Sequence, residues 1–198
     1  SSKGCAELVV SAYRRSFLQD QGIGIASVRA GNVIGGGDWA NDRLIPDILR
    51  SFEKNKPVII RNPKATRPWQ HVLEPLSGYL ILAQKIYNNH KEYAEGWNFG
   101  PREEDVKPVG WILDKMISKW PDSSWELDQN SNPHEADFLK LDISKAESKL
   151  GWKPVWELSH TIDKIIDWHK AWLDKEDMQA VCLAEIEEYT KDMSNENY

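Results

Sequence analysis

The sequence predicts an α/β fold built on a parallel sheet. Short apolar segments alternate with helical patterns along the chain, as expected where helices cover a sheet. Residues 25–28 are apolar and bounded by Gly24 and Gly31, which is typical of a strand buried in such a sheet. Three glycines follow at residues 35–37. Ligands of open α/β sheets bind beyond the carboxyl ends of the strands, so this loop predicts a close approach of backbone to a ligand.

The first predicted element is a helix with apolar residues on two sides. Five of them recur at the spacing of a core-facing stripe: Ala6, Val9, Val10, Tyr13 and Phe17. Cys5, Leu8 and Ala12 form a second apolar edge. A helix of this kind is either sandwiched within a domain or shared with a partner subunit. The pattern starts in mid-helix and the first methionine is Met116, so we expect the sequence to continue a chain that begins upstream.

The remaining elements follow in order. Asn41 and Asp42 are predicted to cap a helix over residues 43–55, with Pro46 in its first turn. A long helix is predicted after the 67–72 segment and is expected to extend to residue 87. Further helices are predicted over residues 109–120, 144–150 and 178–193. One helical face is formed by Leu158, Ile162, Ile165, Ile166, His169, Trp172 and Leu173. Strands are predicted over residues 57–61, 96–100, 125–127 and 138–141, with a loop over 130–135 and a frayed end over 194–198.

Composition narrows the class of protein. With 198 residues the chain suits one domain or one and a half, and a net charge of −6 argues against a nucleic-acid surface. No apolar run approaches membrane-spanning length, so no membrane partner is expected. Cys5 and Cys182 lack metal or redox spacing, which indicates reduced thiols and a cytoplasmic protein. The histidines also lack ligand spacing, so no metal site is predicted.

Six short blocks carry a resemblance to a known family. They are SSKGCAE at residues 1–7, RAGNVIG at 29–35, DRLIPD at 42–47, RPWQHV at 67–72, WNFGP at 97–101 and LGWKP at 150–154. In this order they resemble the nucleotide-sugar branch of the extended short-chain dehydrogenase/reductase superfamily. GGGDW at residues 35–39 and NPHE at 132–135 are most similar to the 4,6-dehydratases of that branch that act on CDP-glucose. The resemblance covers nearly the whole chain.

The resemblance implies a particular architecture. It is the C-terminal part of a Rossmann-like doubly wound parallel sheet plus a smaller α/β substrate-binding domain. Residues 1–40 would be the remnant of the NAD-binding domain. Residues 41–198 would be mainly the sugar-nucleotide-binding domain, with elements that return to the Rossmann part. A homodimer formed through the N-terminal helix is implied as well.

The implied reaction is an internal oxidation and reduction that removes water. In the family NAD takes a hydride from C4 of the hexose, water leaves across C5 and C6, and the hydride returns to C6. Lys3 matches the lysine of the Tyr-x-x-x-Lys motif, whose tyrosine would lie two residues upstream of Ser1. A phenol with an ordinary pKa of about 10 is a poor base at neutral pH, and a nearby ammonium favours the phenolate. The elimination carboxylates and the dinucleotide-binding glycine turn would also lie upstream.

The resemblance assigns site residues one by one. The catalytic residue is Lys3, and the cofactor-binding residues are Lys3, Arg29, Gly31, Asn32 and Val33. The substrate-binding residues are Asn32, Arg43, Leu44, Val58, Ile60, Arg67, Asn98 and His134. Arg67 resembles the family's pyrophosphate-binding arginine, a role that suits a planar guanidinium. Asn132 and Pro133 stand where many relatives carry an arginine before the histidine block.

Three functions remain open from the sequence. The first is the NAD-dependent 4,6-dehydratase just described. The second is an epimerase or decarboxylase of the same fold that acts on another nucleotide sugar. The third is a non-catalytic module for sugar-nucleotide binding or dimerisation. The upstream carboxylates or a substrate assay would separate the first two.

The 198-residue chain by itself should have no dehydratase activity, because the tyrosine and the dinucleotide turn of the family are not in its sequence. An absorbance assay for the 4-keto product, with CDP-glucose and added NAD, measures this directly. Turnover above background would show that the chain boundaries have been misread.

Overall fold

The computed structural model describes residues 2–129 and 139–196. The strands are β1 Ser27–Ala30, β2 Asn32–Ile34, β3 Val58–Ile60, β4 Thr66–Arg67, β5 Trp69–His71, β6 Gly96–Phe99, β7 Lys107–Pro108 and β8 Trp125–Leu127. The α-helices are α1 Ser2–Tyr13, α2 Leu44–Glu53, α3 Leu73–Asn88, α4 His90–Tyr93, α5 Val109–Lys119, α6 Ser144–Leu150, α7 Leu158–Leu173 and α8 Met178–Glu196. A π-helical turn, Arg14–Leu18, and a 3-10 turn, Gln19–Gln21, extend α1. A 3-10 turn, Glu103–Asp105, precedes β7.

Parallel pairing confirms the predicted α/β class. Three strand pairs are parallel, β1 with β6, β2 with β5 and β3 with β8, while β4 and β7 pair antiparallel. Each parallel pair is joined through long connections that contain helices, as parallel strands require. The first predicted strand lies slightly later than expected. It is also not fully buried, because among the described residues β1 is flanked on one edge only and Val28 remains exposed.

Two hydrophobic clusters form the core. The larger joins α2, β3, α5 and α7 around fully buried side chains such as Ile48, Ile112 and Ile162. The smaller joins α3, β6 and α6 around Trp97 and Phe99. The clusters interleave along the sequence, because α3, β6 and α6 lie between or after elements of the larger one. The predicted domain boundary at residue 40 stays a prediction.

Most element predictions are confirmed, and three are corrected. Helix α2 begins at Leu44, and Arg43 precedes it in extended conformation without a side-chain cap. Asp42 has a φ of 58°, in the left-handed region, so neither it nor Asn41 occupies the capping position. Residues 139–141 form no strand, and residue 138 lies outside the described residues. Helix α8 continues to Glu196, so residues 194–196 of the predicted frayed end are helical. Residues 197–198 and the predicted loop over 130–135 lie outside the described residues.

The predicted core stripe of α1 is not buried in this chain. No residue of α1 is buried, and the side chains of Leu8, Val9, Tyr13 and Phe17 are more than half exposed. The apolar pattern therefore indicates a surface of α1 that no other part of the described chain covers. Helix α7 behaves as predicted through His169, whereas Trp172 and Leu173 at its end are exposed.

The glycine loop packs against helix α7. A Cβ atom on Gly36 would lie 2.2 Å from two ring atoms of Trp168 in α7, so only glycine allows this contact. Gly35 similarly approaches Val72. The prediction that residues 35–37 approach a ligand stays a prediction, and the small size of these residues also serves the packing of α7.

A buried carboxylate links α3 to the C-terminal helix. Glu74 is fully buried and accepts hydrogen bonds from the backbone N–H groups of Val155 and Trp156, the latter at 2.7 Å. The hydroxyl of Tyr189 in α8 donates to the same carboxylate at 2.8 Å. Burial raises the pKa of Glu74 above its usual value of 4.5, although these donors oppose the rise.

The raised pKa of Glu74 fixes the sign of a pH dependence. Its stabilising contribution is fully present below the unfolded-state pKa near 4.5 and is lost as the pH rises through the higher folded-state pKa. Glu74→Gln removes this titration. The stability of the wild type relative to Glu74→Gln should therefore fall as the pH rises from 4.5 towards neutral and above, measured by denaturant unfolding. Glu187→Gln, on the exposed side of α8, controls for the loss of one carboxylate. A constant difference across this range would contradict the prediction.

Candidate functional site

One large cavity opens where β1 and β2 end. Its volume is about 690 Å³. Its walls come from the 30–34 segment, the 38–47 segment that leads into α2, the 59–62 segment after β3 and the 65–69 segment around β4 and β5. Lys3 of α1 and the side chains of Val109, Leu139 and Leu141 complete the lining. Volumes of roughly 300 to 1,000 Å³ are typical of small-ligand sites.

Eight of the predicted site residues meet at this cavity. They are Lys3, Gly31, Asn32, Val33, Arg43, Leu44, Ile60 and Arg67. They come from five separate parts of the chain, so their convergence is a property of the fold. The roles assigned to them stay predictions.

The close pairing of two chain segments places these residues. The backbone N–H of Asn32 donates to the carbonyl oxygen of Pro68 at 2.8 Å. A Cβ atom on Gly31 would lie 2.2 Å from that same oxygen, so a side chain there would force the two segments apart. The glycine of the predicted cofactor set therefore also permits β2 to pair with β5.

Three predicted site residues lie away from the cavity lining. Arg29 points back towards α1, where its Nε atom is 3.8 Å from a carboxylate oxygen of Glu7. Val58 is buried in the larger hydrophobic cluster. Asn98 donates its amide to the backbone carbonyl of Asp142 at 2.9 Å. His134 lies outside the described residues, as do Asn132 and Pro133.

Sequence reasoning missed several lining residues. Ile59 lines the cavity and is 57% exposed, whereas its neighbours Val58 and Ile60 are buried. Alternation along a strand explains the difference and was available from the sequence. Arg61 and Trp69 also line the cavity. Arg61 directly follows β3. That the strand ends before this residue is evident only once the sheet is known.

The cavity is rich in charge of both signs. Lys3, Arg43, Arg61 and Arg67 contribute four cations. Arg67 is half-buried and donates from Nη1 to the carbonyl of Thr66 at 3.0 Å, which holds its guanidinium at the wall. The carboxylates of Asp38, Asp42 and Asp47 oppose these cations. Of the three, Asp47 is paired with Arg50.

A separate group of titratable side chains lies between α7 and α8. His160, Glu188 and Asp192 bring ligand atoms within 4.8 Å of one another, which the sequence spacing did not indicate because two helices contribute them. Protein partners already engage both carboxylates. Lys164 pairs with Glu188, and the indole N–H of Trp156 donates to Asp192 at 2.9 Å.

Comparisons with a family model and with solved structures show what this chain is similar to. Residues 1–96 match the model of the NAD dependent epimerase/dehydratase family. Among solved structures, the UDP-glucuronic acid 4-epimerase of Bacillus cereus superposes with a TM-score of 0.66 at 22% identity, covering 84% of this chain and 50% of that one. The dTDP-glucose 4,6-dehydratase of Bacillus anthracis superposes with a TM-score of 0.65 at 15% identity, covering 83% of this chain and 49% of that one. These likenesses confirm the Rossmann-like α/β fold.

A curated relative is much more similar in sequence. The chain is 60% identical over 195 residues to CDP-glucose 4,6-dehydratase of Salmonella typhimurium, which covers 96% of this chain and 54% of that protein. The resemblance to the nucleotide-sugar branch of the extended short-chain dehydrogenase/reductase superfamily is confirmed. The chain spans about half the length of this curated relative.

No helix in the described parts of the chain combines the length and the apolar character needed to cross a membrane.

Proposed function

We propose that the full-length protein is an NAD-dependent CDP-glucose 4,6-dehydratase, and that this chain supplies most of its sugar-nucleotide site. The observation that carries the proposal is the convergence of eight predicted residues on one cavity, in a chain 60% identical to such an enzyme. The product would be CDP-4-keto-6-deoxyglucose. The similarity to a UDP-sugar epimerase keeps another nucleotide sugar as an outcome of the substrate assay below.

The charge distribution of the cavity suits a nucleoside diphosphate sugar. A pyrophosphate carries about two negative charges, and guanidinium groups hold its oxygens with paired hydrogen bonds. Arg67 is the best placed to do so, because its backbone-bonded guanidinium lies on the wall beside Asn32 and Pro68. The apolar face of Ile59 and Val109 offers a surface for the base, and carboxylates such as Asp38 can accept hydrogen bonds from sugar hydroxyls.

Several cavity residues fit the nicotinamide end of NAD. Lys3, Gly31, Asn32 and Val33 line the same space as the proposed sugar site, which is where a hydride donor and acceptor must meet. When bound, NAD would accept a hydride from the sugar and return it. Lys3 would hydrogen-bond the nicotinamide ribose and favour ionisation of the family's tyrosine through its positive charge. Arg29 pairs with Glu7 outside the cavity lining, and its cofactor-binding role stays a prediction.

We further propose that the protein is a cytoplasmic homodimer that pairs through α1. The exposed apolar side chains on that helix supply a surface that a second copy can cover. Cys5 and Cys182 are both free thiols, as a reducing compartment favours.

The substrate assay tests the central proposal. Full-length protein with NAD should convert CDP-glucose to a 4-keto product faster than it converts UDP-glucose or dTDP-glucose. Loss of the 4-keto absorbance signal with every sugar would overturn the proposal, and preference for a uridine sugar would favour the epimerase or decarboxylase reading.

Arg67→Ala in the full-length protein should weaken binding of CDP by roughly 1.5 to 3 kcal/mol, because a charged hydrogen-bond pair to phosphate is lost. Arg67→Lys should restore only part of this, since an ammonium lacks the planar fork. Calorimetric titration with CDP and with NAD, alongside a melting curve, makes the measurement. NAD affinity should barely change. A loss of NAD affinity with intact CDP binding would place the wrong ligand at this arginine.

Leu8→Glu should convert the full-length protein to monomers, because it buries a carboxylate in the proposed dimer interface. Light scattering reports the mass. Tyr87→Glu is the matched control, since Tyr87 is also exposed, at 92%, but lies on α3. An unchanged dimer in Leu8→Glu would mean that α1 is not the interface.

A further inference from the structure

One wall of the cavity is a segment without regular structure. Residues 38–43 lie between β2 and α2, and Asp38, Asp42 and Arg43 of this segment line the cavity. Asp42 adopts a left-handed conformation, with a φ of 58°, which few residues with side chains adopt and which Asp tolerates better than most. A segment of this kind keeps its shape only if neighbouring groups hold it.

Two anchors hold the segment from opposite sides. Arg50, near the end of α2, donates from Nη1 to the carbonyl of Trp39 at 3.2 Å and from Nη2 to the carbonyl of Ala40 at 3.0 Å. The ring of Trp39 packs on α7, with its centroid 4.5 Å from that of Trp172 and 6.3 Å from that of Trp168. The carbonyls are thus fixed to α2 and the indole to α7.

The same guanidinium also pairs with Asp47, a cavity-lining carboxylate one turn earlier in α2. Arg50 itself does not line the cavity. Without it, Asp47 would lose the cation that pairs with it, and its negative charge would repel an anionic ligand more strongly. A simple exposed ion pair on a helix contributes little, but this one joins a helix, a loop and the cavity wall.

We propose that Arg50 is a positioning residue for the sugar-nucleotide site: it fixes the 38–43 segment through two carbonyls and neutralises Asp47, so that Arg43 and Asp42 meet the ligand in a set geometry. This inference rests on the proposed function, because the ligand is the sugar nucleotide assigned there. It adds a residue to which neither the motifs nor the comparisons assign a role.

The two effects of Arg50 can be separated by substitution in the full-length protein. Arg50→Ala removes both, and Arg50→Lys keeps the charge but lacks a planar fork to span two carbonyls and a carboxylate. Asp47→Asn combined with Arg50→Ala removes the exposed carboxylate as well. Arg102→Ala is the matched control, because Arg102 also donates to a backbone carbonyl, that of Pro154, but lies outside this cavity.

Arg50→Ala should raise the Kd for CDP, and the KM for CDP-glucose, by about tenfold, with kcat changed by no more than about twofold. Arg50→Lys should recover less than half of the loss on a logarithmic scale. The double variant should recover only the share due to Asp47. Hydrogen exchange of the 38–44 amides should accelerate in Arg50→Ala, whereas Arg102→Ala should change neither KM nor this exchange.

An unchanged KM and Kd in Arg50→Ala would overturn the inference, even if its melting temperature falls, because that pattern marks a purely structural contact. Full recovery in the double variant would overturn the carbonyl-holding part and leave only neutralisation of Asp47. If the wild type binds neither CDP nor CDP-glucose, the proposed function fails. The hydrogen-exchange result then decides the anchoring by itself, and unchanged exchange of residues 38–44 overturns it.

Discussion

The pairing of β2 with β5 is the constraint on which the candidate site depends. Asn32 and Pro68 are far apart in sequence, yet one backbone hydrogen bond of 2.8 Å ties them together. This contact brings the end of the first parallel pair beside Arg67 and requires a residue without a side chain at Gly31. Without this approach, the predicted cofactor residues and the predicted substrate residues would lie on different surfaces.

Once that pairing exists, the charges of the cavity follow from strand and helix ends. Arg61 directly follows β3, and Arg67 is the last residue of β4. Arg43 directly precedes α2, and Lys3 lines the cavity from α1. Side chains at such ends are not committed to a core, so they are available to a ligand. The acidic residues of the 38–47 segment partly offset the positive charge of these side chains. Arg50 in turn pairs with one of these acidic residues, Asp47. An anionic ligand therefore meets a balanced site rather than a uniformly positive one.

The C-terminal helix α8 contacts both α3 and β5. Tyr189 and Glu74 bond within the core, and Glu185 approaches the ring of His71 at 3.0 Å. Because His71 ends β5, these contacts also support the strand that carries the cavity wall. Residues that are distant in sequence thus stabilise the same part of the structure.

The sequence by itself determined the class, the approximate elements and eight of the residues that line the cavity. Helical spacing predicted α5, α6 and α7, and the ordered sequence blocks indicated Lys3, Asn32, Arg43 and Arg67. Both signals come from residues that are close together in the sequence. Only the tertiary structure decided that Arg29 pairs with Glu7 and that Gly36 packs against Trp168. Likewise, no local pattern joins Arg50 to the carbonyls of Trp39 and Ala40, some ten residues earlier. The physical reason is that each of these outcomes depends on which distant surface a side chain meets, and spacing along one segment does not contain that information.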